Sequence, residues 1–371
     1  MKKSVYILLL CIAALSCEEQ HGLRLDSQEP KLLLECFAGL NDTTAIFLRA
    51  TTPVTQKDSI PPDIANAVVE MTVDGVRREV HYASSQMGTV PAGAFFSVGA
   101  IAPGAGIEVS AAASGLEPVR SLTEMPVACA GLSPELVYDE HYEDIIISIP
   151  IPKEMEYLGL CVVEETISHT TSRKVWYEKD ELGNLTEMKY GDDFETGTDS
   201  RITFEVPAPL FESDLEWAEV MEFCFDGRSL LNPAGSSYFA LIGPSDLTSE
   251  RKYEGRVRCQ RDAEYTVLAD DGTLIRKGGW STRLKFIVIN LSPEMYRFAR
   301  ARYEDENNTL GFIGLAPASF TYSNVRGGFG ALGAFTVWVS GWYANPGTPS
   351  DLNGELYGAM IRSVDIIQDV R

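Results

Sequence analysis

The fold is decided by the stretch Leu291–Phe335, LSPEMYRFARARYEDENNTLGFIGLAPASFTYSNVRGGFGALGAF, which holds the clearest helix signature in a chain that otherwise resembles strands. Ser292 stands at the N-cap position, where its hydroxyl can accept a hydrogen bond from a free backbone N–H. Pro293 loses nothing at the first helical position, and the Glu294 carboxylate suits the positive end of the helix dipole. Apolar residues then recur at helical spacing. The sequence therefore predicts one helix near residues 293–307.

A glycine-dense run, Gly327–Gly333, follows the helix and an extended piece over Ser319–Val325. Glycine has no Cβ, so such a run lets the backbone either turn sharply or approach another backbone closely. The sequence leaves both alternatives open. A phosphate-binding loop is excluded because a strand, Phe335–Tyr343, is predicted after the run instead of a helix.

The pattern in the first third of the chain predicts short strands separated by turn residues about every ten positions, which is typical of a β-sandwich. The clearest hairpin is at Asp74-Gly75, because Asp-Gly supplies the positive φ that a two-residue turn needs. A boundary is predicted at Ser121–Pro134, which contains two prolines. The predicted strands are Leu32–Phe37, Ala45–Arg49, Val68–Val73, Arg77–Ala83, Ala94–Val98 and Ile107–Ala113.

The remainder continues as strands, so we predict a mainly all-β fold with one inserted helix. A parallel α/β fold is disfavoured because helices do not alternate with strands. The predicted strands are Asp144–Pro150, Tyr157–Ile167, Lys174–Tyr177, Leu185–Tyr190, Arg201–Val206, Val220–Phe225, Ser237–Ile242, Arg256–Leu268, Thr273–Lys277, Leu284–Asn290 and a closing Leu356–Ile367.

Residues 1–16 have the pattern of a bacterial lipoprotein signal peptide. Lys2-Lys3 precede an apolar run of roughly 11 residues, which is too short to span a bilayer and the right length for secretion. Small residues then lead to Cys17, which resembles the lipidated cysteine of a lipobox. We expect a triacyl anchor on Cys17 to hold the chain at the outer membrane, with 17–24 as its tether.

The formal charge is −22, and about −24 once Lys2 and Lys3 leave with the signal peptide. Nucleic acid and anionic lipid are poor partners for such a chain, because their binders need basic patches. The acidic surface mainly favours solubility.

The order of these features resembles a family of Bacteroidota outer-membrane lipoproteins known as domain of unknown function 4249. The resemblance covers nearly the whole chain and depends most on LSPEMYRF at Leu291–Phe298 and TYSNVRGGFGALGAF at Thr321–Phe335. It implies an immunoglobulin-like β-sandwich over 25–125 and a larger β domain over 126–371. The matching motif positions have no assigned role in that family; they are Ser292, Pro293, Asn324, Gly327, Gly328 and Gly330.

Five cysteines remain after Cys11 and Cys17, an odd count for an oxidising compartment. A disulfide among Cys161, Cys224 and Cys259 stays open, as does any pairing with Cys36 or Cys129. We favour buried free thiols, because cysteine packs as a small hydrophobe. None has metal-site spacing.

No catalytic motif is present in the sequence. The histidines His21, His81, His141 and His169 are scattered, without HExxH spacing. Two acidic clusters begin at Asp139 and at Asp192, but neither has EF-hand spacing, so solvated loops are favoured. We therefore predict no enzyme activity, no metal and no cofactor.

Aromatic residues are the better indication of binding, because exposed rings stack on sugars and form hot spots. Phe329, Tyr303 and Trp342 are the candidate ligand contacts, whereas Trp338 and Tyr296 are expected in the core. The family resemblance implies an accessory binding lipoprotein, and we expect it to work with a TonB-dependent transporter in nutrient capture. An adhesin or envelope-structural protein is the rival, and a hydrolase with residues that converge only in the fold is a third alternative.

Overall fold

The computed structural model describes residues 29–39, 42–51, 64–88, 90–141, 144–179, 181–182, 185–205, 208–209, 220–223, 237–259, 262–268, 272–307 and 322–346. These residues form a mainly β fold with one α-helix, α1 (Pro293–Asn307). The strands are β1 (Leu32–Ala38), β2 (Thr43–Ala50), β3 (Val68–Val73), β4 (Val76–Arg78), β5 (His81–Tyr82), β6 (Phe95–Val98), β7 (Gly106–Ala112), β8 (Val119–Glu124), β9 (Glu135–Asp139), β10 (Asp144–Pro150), β11 (Leu158–Lys179), β12 (Leu185–Glu205), β13 (Ala208–Pro209), β14 (Val220–Phe223), β15 (Ser237–Ile242), β16 (Lys252–Arg258), β17 (Ala263–Leu268), β18 (Leu274–Leu291), β19 (Phe329–Val339) and β20 (Tyr343–Ala344).

The N-terminal part is a two-layer β-sandwich. One layer is the sheet β4-β3-β7-β8, and the other contains β1, β2, β6 and β5. Alternating apolar residues from both layers, such as Leu34, Ile46 and Val109, are fully or almost fully buried in one core, as the period-two pattern requires. The predicted hairpin is confirmed: Asp74 has φ 51° and Gly75 has φ 75° between β3 and β4.

The largest sheet runs through both halves of the chain, in the order β14-β15-β11-β18-β19-β1-β2-β6-β5. β1 joins β19 as a parallel pair, with Leu34 opposite Gly330. The ranges 25–125 and 126–371 therefore share a sheet, although their division into two domains stays a prediction. The predicted boundary stretch Ser121–Pro134 includes the end of β8, which pairs with β7 as far as Glu124.

A second core lies between the large sheet and the sheet β13-β16-β10-β9. Ile147 and Tyr253 pack there against Leu160, Phe286 and other inward residues of β11, β15 and β18. The opposite face of the large sheet is covered by α1, whose Met295 and other apolar residues join a third core. The molecule therefore has three layers at this point: a small sheet, the large sheet and the helix.

Three of the strands are longer than the sequence predicted. β11 has 22 residues and merges Tyr157–Ile167 with Lys174–Tyr177. β12 and β18 likewise bridge stretches that had been predicted as separate strands. In contrast, the predicted strand Arg256–Leu268 divides into β16 and β17. The predicted closing strand Leu356–Ile367 lies outside the described residues.

Candidate functional site

Ser292 caps the helix and also ties it to a strand. Its Oγ accepts hydrogen bonds from the backbone N–H of Met295 at 3.3 Å and of Ala334 at 3.1 Å. Its own backbone N–H donates to the Ala334 carbonyl at 2.8 Å. Pro293 follows at the first helical position, as predicted. The Ser292 hydroxyl therefore fixes the start of α1 against β19.

Asn324 is a second structural clamp. Its side-chain amide donates to the Leu332 carbonyl at 2.8 Å and to the Leu122 carbonyl at 3.2 Å. Its Oδ1 accepts from the Leu332 N–H at 3.0 Å, and its carbonyl accepts from the Ser121 hydroxyl at 3.1 Å. A single side chain therefore connects β8 with β19 across the predicted domain boundary.

The motif glycines allow close backbone contact, the second of the two alternatives left open by the sequence. A Cβ at Gly330 would collide with the Leu34 carbonyl oxygen, and one at Gly328 would collide with that of Leu32. Gly327 lies equally close to the backbone of Pro118. These glycines let β19 and the residues just before it lie close to β1 and to the residue that precedes β8. Their role is therefore in packing.

Phe329 is the exposed aromatic residue at the start of β19. Its side chain is 48% exposed, and the Lys31 ammonium lies 5.7 Å from the ring centroid. No acidic or second aromatic side chain is recorded against this ring among the described residues. Phe329 is thus accessible, but few neighbouring groups define a ligand there.

The three candidate contacts do not form one site. Phe329 begins β19 and Val339 ends it, which places them roughly 33 Å apart at about 3.3 Å per residue. Trp342 lies beyond Val339, against β18. Tyr303 belongs to α1, but its side chain lies outside the described residues. The structure therefore separates Phe329 from Trp342.

Trp342 lies in a charged group that we call the Trp342 cluster: Trp342, Arg283, Lys285 and Glu165. The Arg283 guanidinium carbon and the Lys285 ammonium are each 4.4 Å from the indole centroid, within the range of cation–π attraction. Arg283 and Lys285 alternate with Leu284, so both point to the sheet face opposite the second core.

Glu165 balances one of these two cations. It lies opposite Arg283 in the β11–β18 register, and its Oε2 accepts a hydrogen bond from the guanidinium Nε. The other carboxylate oxygen accepts from the Ser200 hydroxyl of β12 at 2.9 Å. The Glu165 side chain is only 7% exposed, so this charge requires its partners.

Lys285 lies two residues further along the same face and opposite Val163. Burial and the neighbouring Arg283 charge lower its pKa, against a smaller opposing effect of Glu165. No hydrogen bond or ion pair of the Lys285 ammonium is recorded among the described residues. The cluster thus contains a partly buried cation that its carboxylate does not neutralise.

The sequence analysis singled out Trp342 and missed its charged neighbours. A signal was present in RLKFIVIN, residues 283–290, where Arg283 and Lys285 occupy the same alternate positions as Ile287 and Ile289. Charged residues that continue an otherwise buried face indicate a special environment. The partner Glu165, more than a hundred positions away, is identified only by the strand register.

The thiol prediction is confirmed for the described cysteines. Cys36, Cys129, Cys161 and Cys259 are all buried thiols that take part in no disulfide. Burial raises the pKa of Cys36 to about 12, and that of Cys129 to about 12 despite a backbone hydrogen bond that lowers it. Cys224 lies outside the described residues.

The predicted acidic clusters and histidines do not assemble into a metal centre within the described ranges. No group of three or more His, Cys, Asp or Glu side chains there could hold an ion. Asp192, Asp193, Glu195 and Asp199 are exposed along β12, which is a strand and not the predicted loop. His21 lies outside the described residues.

Comparison with known proteins adds no family: no family model matches the chain, and no curated protein matches it. What the described residues define is an all-β protein with one helix. None of their helices is long and apolar enough to cross a membrane. Cys17 and the segment 1–24 lie outside the described residues, so lipidation and the family resemblance remain predictions.

Proposed function

We propose that the chain is a non-enzymatic, lipid-anchored binding protein of the outer membrane that assists a TonB-dependent transporter in nutrient capture. Cys17 is its anchor, the N-terminal sandwich is a spacer or docking module, and the larger β part carries the recognition surface. No cofactor or metal is required in this role.

The observation that carries this proposal is the leader, in which Lys2-Lys3, a short apolar run and small residues lead directly to Cys17. Acyl chains on that cysteine provide enough buried CH₂ groups for stable attachment to a bilayer. The acidic remainder, with net charge of about −24 after cleavage, disfavours nucleic acid and anionic lipid as alternative partners.

The fold supports the spacer role in a specific way. β1 pairs in parallel with β19 over six positions, and Asn324 links β8 to the same strand. These bonds join the sandwich directly to the larger β part. An anchor that precedes the sandwich would therefore position the Trp342 cluster through a connected sheet.

An affinity pull-down from detergent-solubilised membranes tests the transporter role. We expect the tagged full chain to recover an outer-membrane barrel protein, and the Cys17→Ser variant to lose it because the anchor is missing. Recovery of the tagged chain alone would contradict the transporter role. If the chain still bound whole cells or matrix after deletion of every candidate transporter, this result would favour the adhesin hypothesis instead.

A further inference from the structure

We propose that the Trp342 cluster binds the carboxylate of a small monoanionic ligand with an apolar body, with Lys285 as the direct contact. This inference rests on the proposed function, because it names the ligand class of the recognition surface. Its support is the geometry of charged and apolar groups around one indole ring.

The charge of the cluster matches one negative charge. Arg283 and Lys285 contribute two positive charges, and Glu165 contributes one negative charge, which leaves a net +1. A monocarboxylate would neutralise this remainder, whereas a phosphate dianion would exceed it. The charges are partly buried, so such a mismatch would be poorly screened by solvent.

Lys285 is the cation of the cluster that is not paired with Glu165, which instead binds Arg283. The Arg283 guanidinium already donates to Glu165 and lies against Trp342. The Lys285 ammonium has three N–H donors, and its recorded contact among the described residues is the indole of Trp342. A contact with the face of an aromatic ring does not take up the N–H donors of the ammonium as a carboxylate acceptor would. The ammonium can therefore still bind an anion.

The surroundings of Lys285 also suit an apolar ligand body. Ile287 continues the same face of β18, and its strand partner Val339 on β19 is 48% exposed. Val163 lies opposite Lys285 on β11 and is nearly buried. An anion with an apolar group could therefore place its carboxylate at Lys285 and its body toward Val339 and Trp342.

Calorimetric titration of the full chain, purified in detergent, with sodium benzoate tests the inference. We expect benzoate to bind and benzamide, its neutral analogue, to bind at least about tenfold more weakly, because a hydrogen bond between charged groups is stronger than one to a neutral amide. Inorganic phosphate should neither bind nor displace benzoate. The affinity for benzoate should fall at alkaline pH as Lys285 loses its proton, at a pH below 10.5.

Two variants distinguish the site from general ionic attraction. Lys285→Met should lose benzoate binding by at least about tenfold, whereas Lys285→Arg should retain it because the charge remains. Lys153→Met removes an exposed lysine in the turn before β11 and should leave the affinity unchanged. Thermal unfolding of each variant confirms that it is folded.

Three results would overturn the inference: no benzoate binding at millimolar concentration, equal binding by Lys285→Met, or equal binding of benzamide or phosphate. None of them affects the membrane anchor, which is measured separately on the N-terminal peptide. Conversely, a soluble, unlipidated chain that still bound benzoate through Lys285 would contradict the proposed function and leave this site intact.

Discussion

At the scale of single residues, Gly330 shows why the glycine run has its composition. It lies in β19 opposite Leu34, with φ 103°, and a Cβ there would collide with the Leu34 carbonyl oxygen. Two constraints therefore act on one position: a backbone conformation that favours glycine and a strand that leaves no room. The run supports the parallel contact that joins the two parts of the chain.

We predict that Gly330→Ala destabilises the protein far more than Gly115→Ala. Both positions have positive φ, but nothing lies within 4 Å of a Cβ at Gly115. The conformational cost of roughly 1–2 kcal/mol is common to both, whereas overpacking adds about 1–3 kcal/mol at Gly330. Urea unfolding measures the difference, and equal midpoints would show that the contact between β1 and β19 is not close.

The buried thiols lead to a second residue-scale prediction. Cys36 and Cys129 should resist alkylation at pH 8 in the folded protein, because their pKa values of about 12 leave very little thiolate. After unfolding, both should react readily. Peptide mapping by mass spectrometry measures the modification, and rapid labelling of Cys36 in the native state would contradict its burial.

The same thiols predict a decrease in stability at high pH. The folded-state pKa of each lies above the ordinary value of 9.0, so the unfolded state loses its protons first. Their contribution is fully present below about pH 9 and is lost as the pH rises toward 12. Cys36→Ala, compared with the unmodified chain in urea unfolding from pH 7 to 10.5, should flatten this decline; an unchanged slope would contradict it.

At the scale of elements, α1 could be predicted with its boundaries, because the capping residues lie next to each other in sequence. Ser292 and Pro293 mark the start, and the helix ends at Asn307, as expected. In contrast, β11 and β18 were predicted in pieces. Their polar middle sections, such as Ser168–Arg173, break the hydrophobic pattern although the backbone continues its pairing. The hydrophobic pattern of a short segment does not show that a strand distant in sequence pairs with it.

The long β11–β12 hairpin leads to an element-scale prediction. β18 pairs with β11 only as far as Ser172 of β11, whereas β12 pairs with β11 as far as Lys179 of β11. Among the described residues, the part of β11 from Arg173 to Lys179 thus pairs with β12 alone, as a two-stranded ribbon of about 23 Å at roughly 3.3 Å per residue. Two strands alone are marginally stable, so amides of Arg173–Lys179 should exchange with deuterium much faster than those of Leu160–Ile167. Equal protection would indicate that another part of the chain covers the ribbon.

The residues of the candidate site could likewise be predicted only where the signal is local in the sequence. Trp342 could be selected from sequence because aromatic rings near the stretch 291–335 are candidate binding contacts. Glu165 and Ser200 could not, because only the pairing of β11 with β18 and β12 brings Glu165 to Arg283 and Ser200 to Glu165. Phe329 and Trp342 were both candidate ligand contacts from the sequence, and the extended strand β19 lies between them, so they do not share one site.

At the scale of the whole molecule, the large sheet is the feature that sequence order conceals. β1, near the start of the described chain, lies beside β19, near its end, and the closure connects the N-terminal sandwich to the part that carries the Trp342 cluster. The resemblance implied two β domains in succession. The structure adds that the two ranges share one sheet, which is joined through the parallel pair of β1 and β19.

The proposed role requires the modification of Cys17, and mass spectrometry of the mature N-terminal peptide tests this modification most directly. We predict a chain that begins at Cys17, carries acyl chains, and fractionates with the outer membrane. The Cys17→Ser variant should lack the acyl mass and leave the membrane fraction. A mature chain with an unmodified Cys17 thiol, recovered in the soluble fraction, would contradict the anchored role and the transporter proposal together.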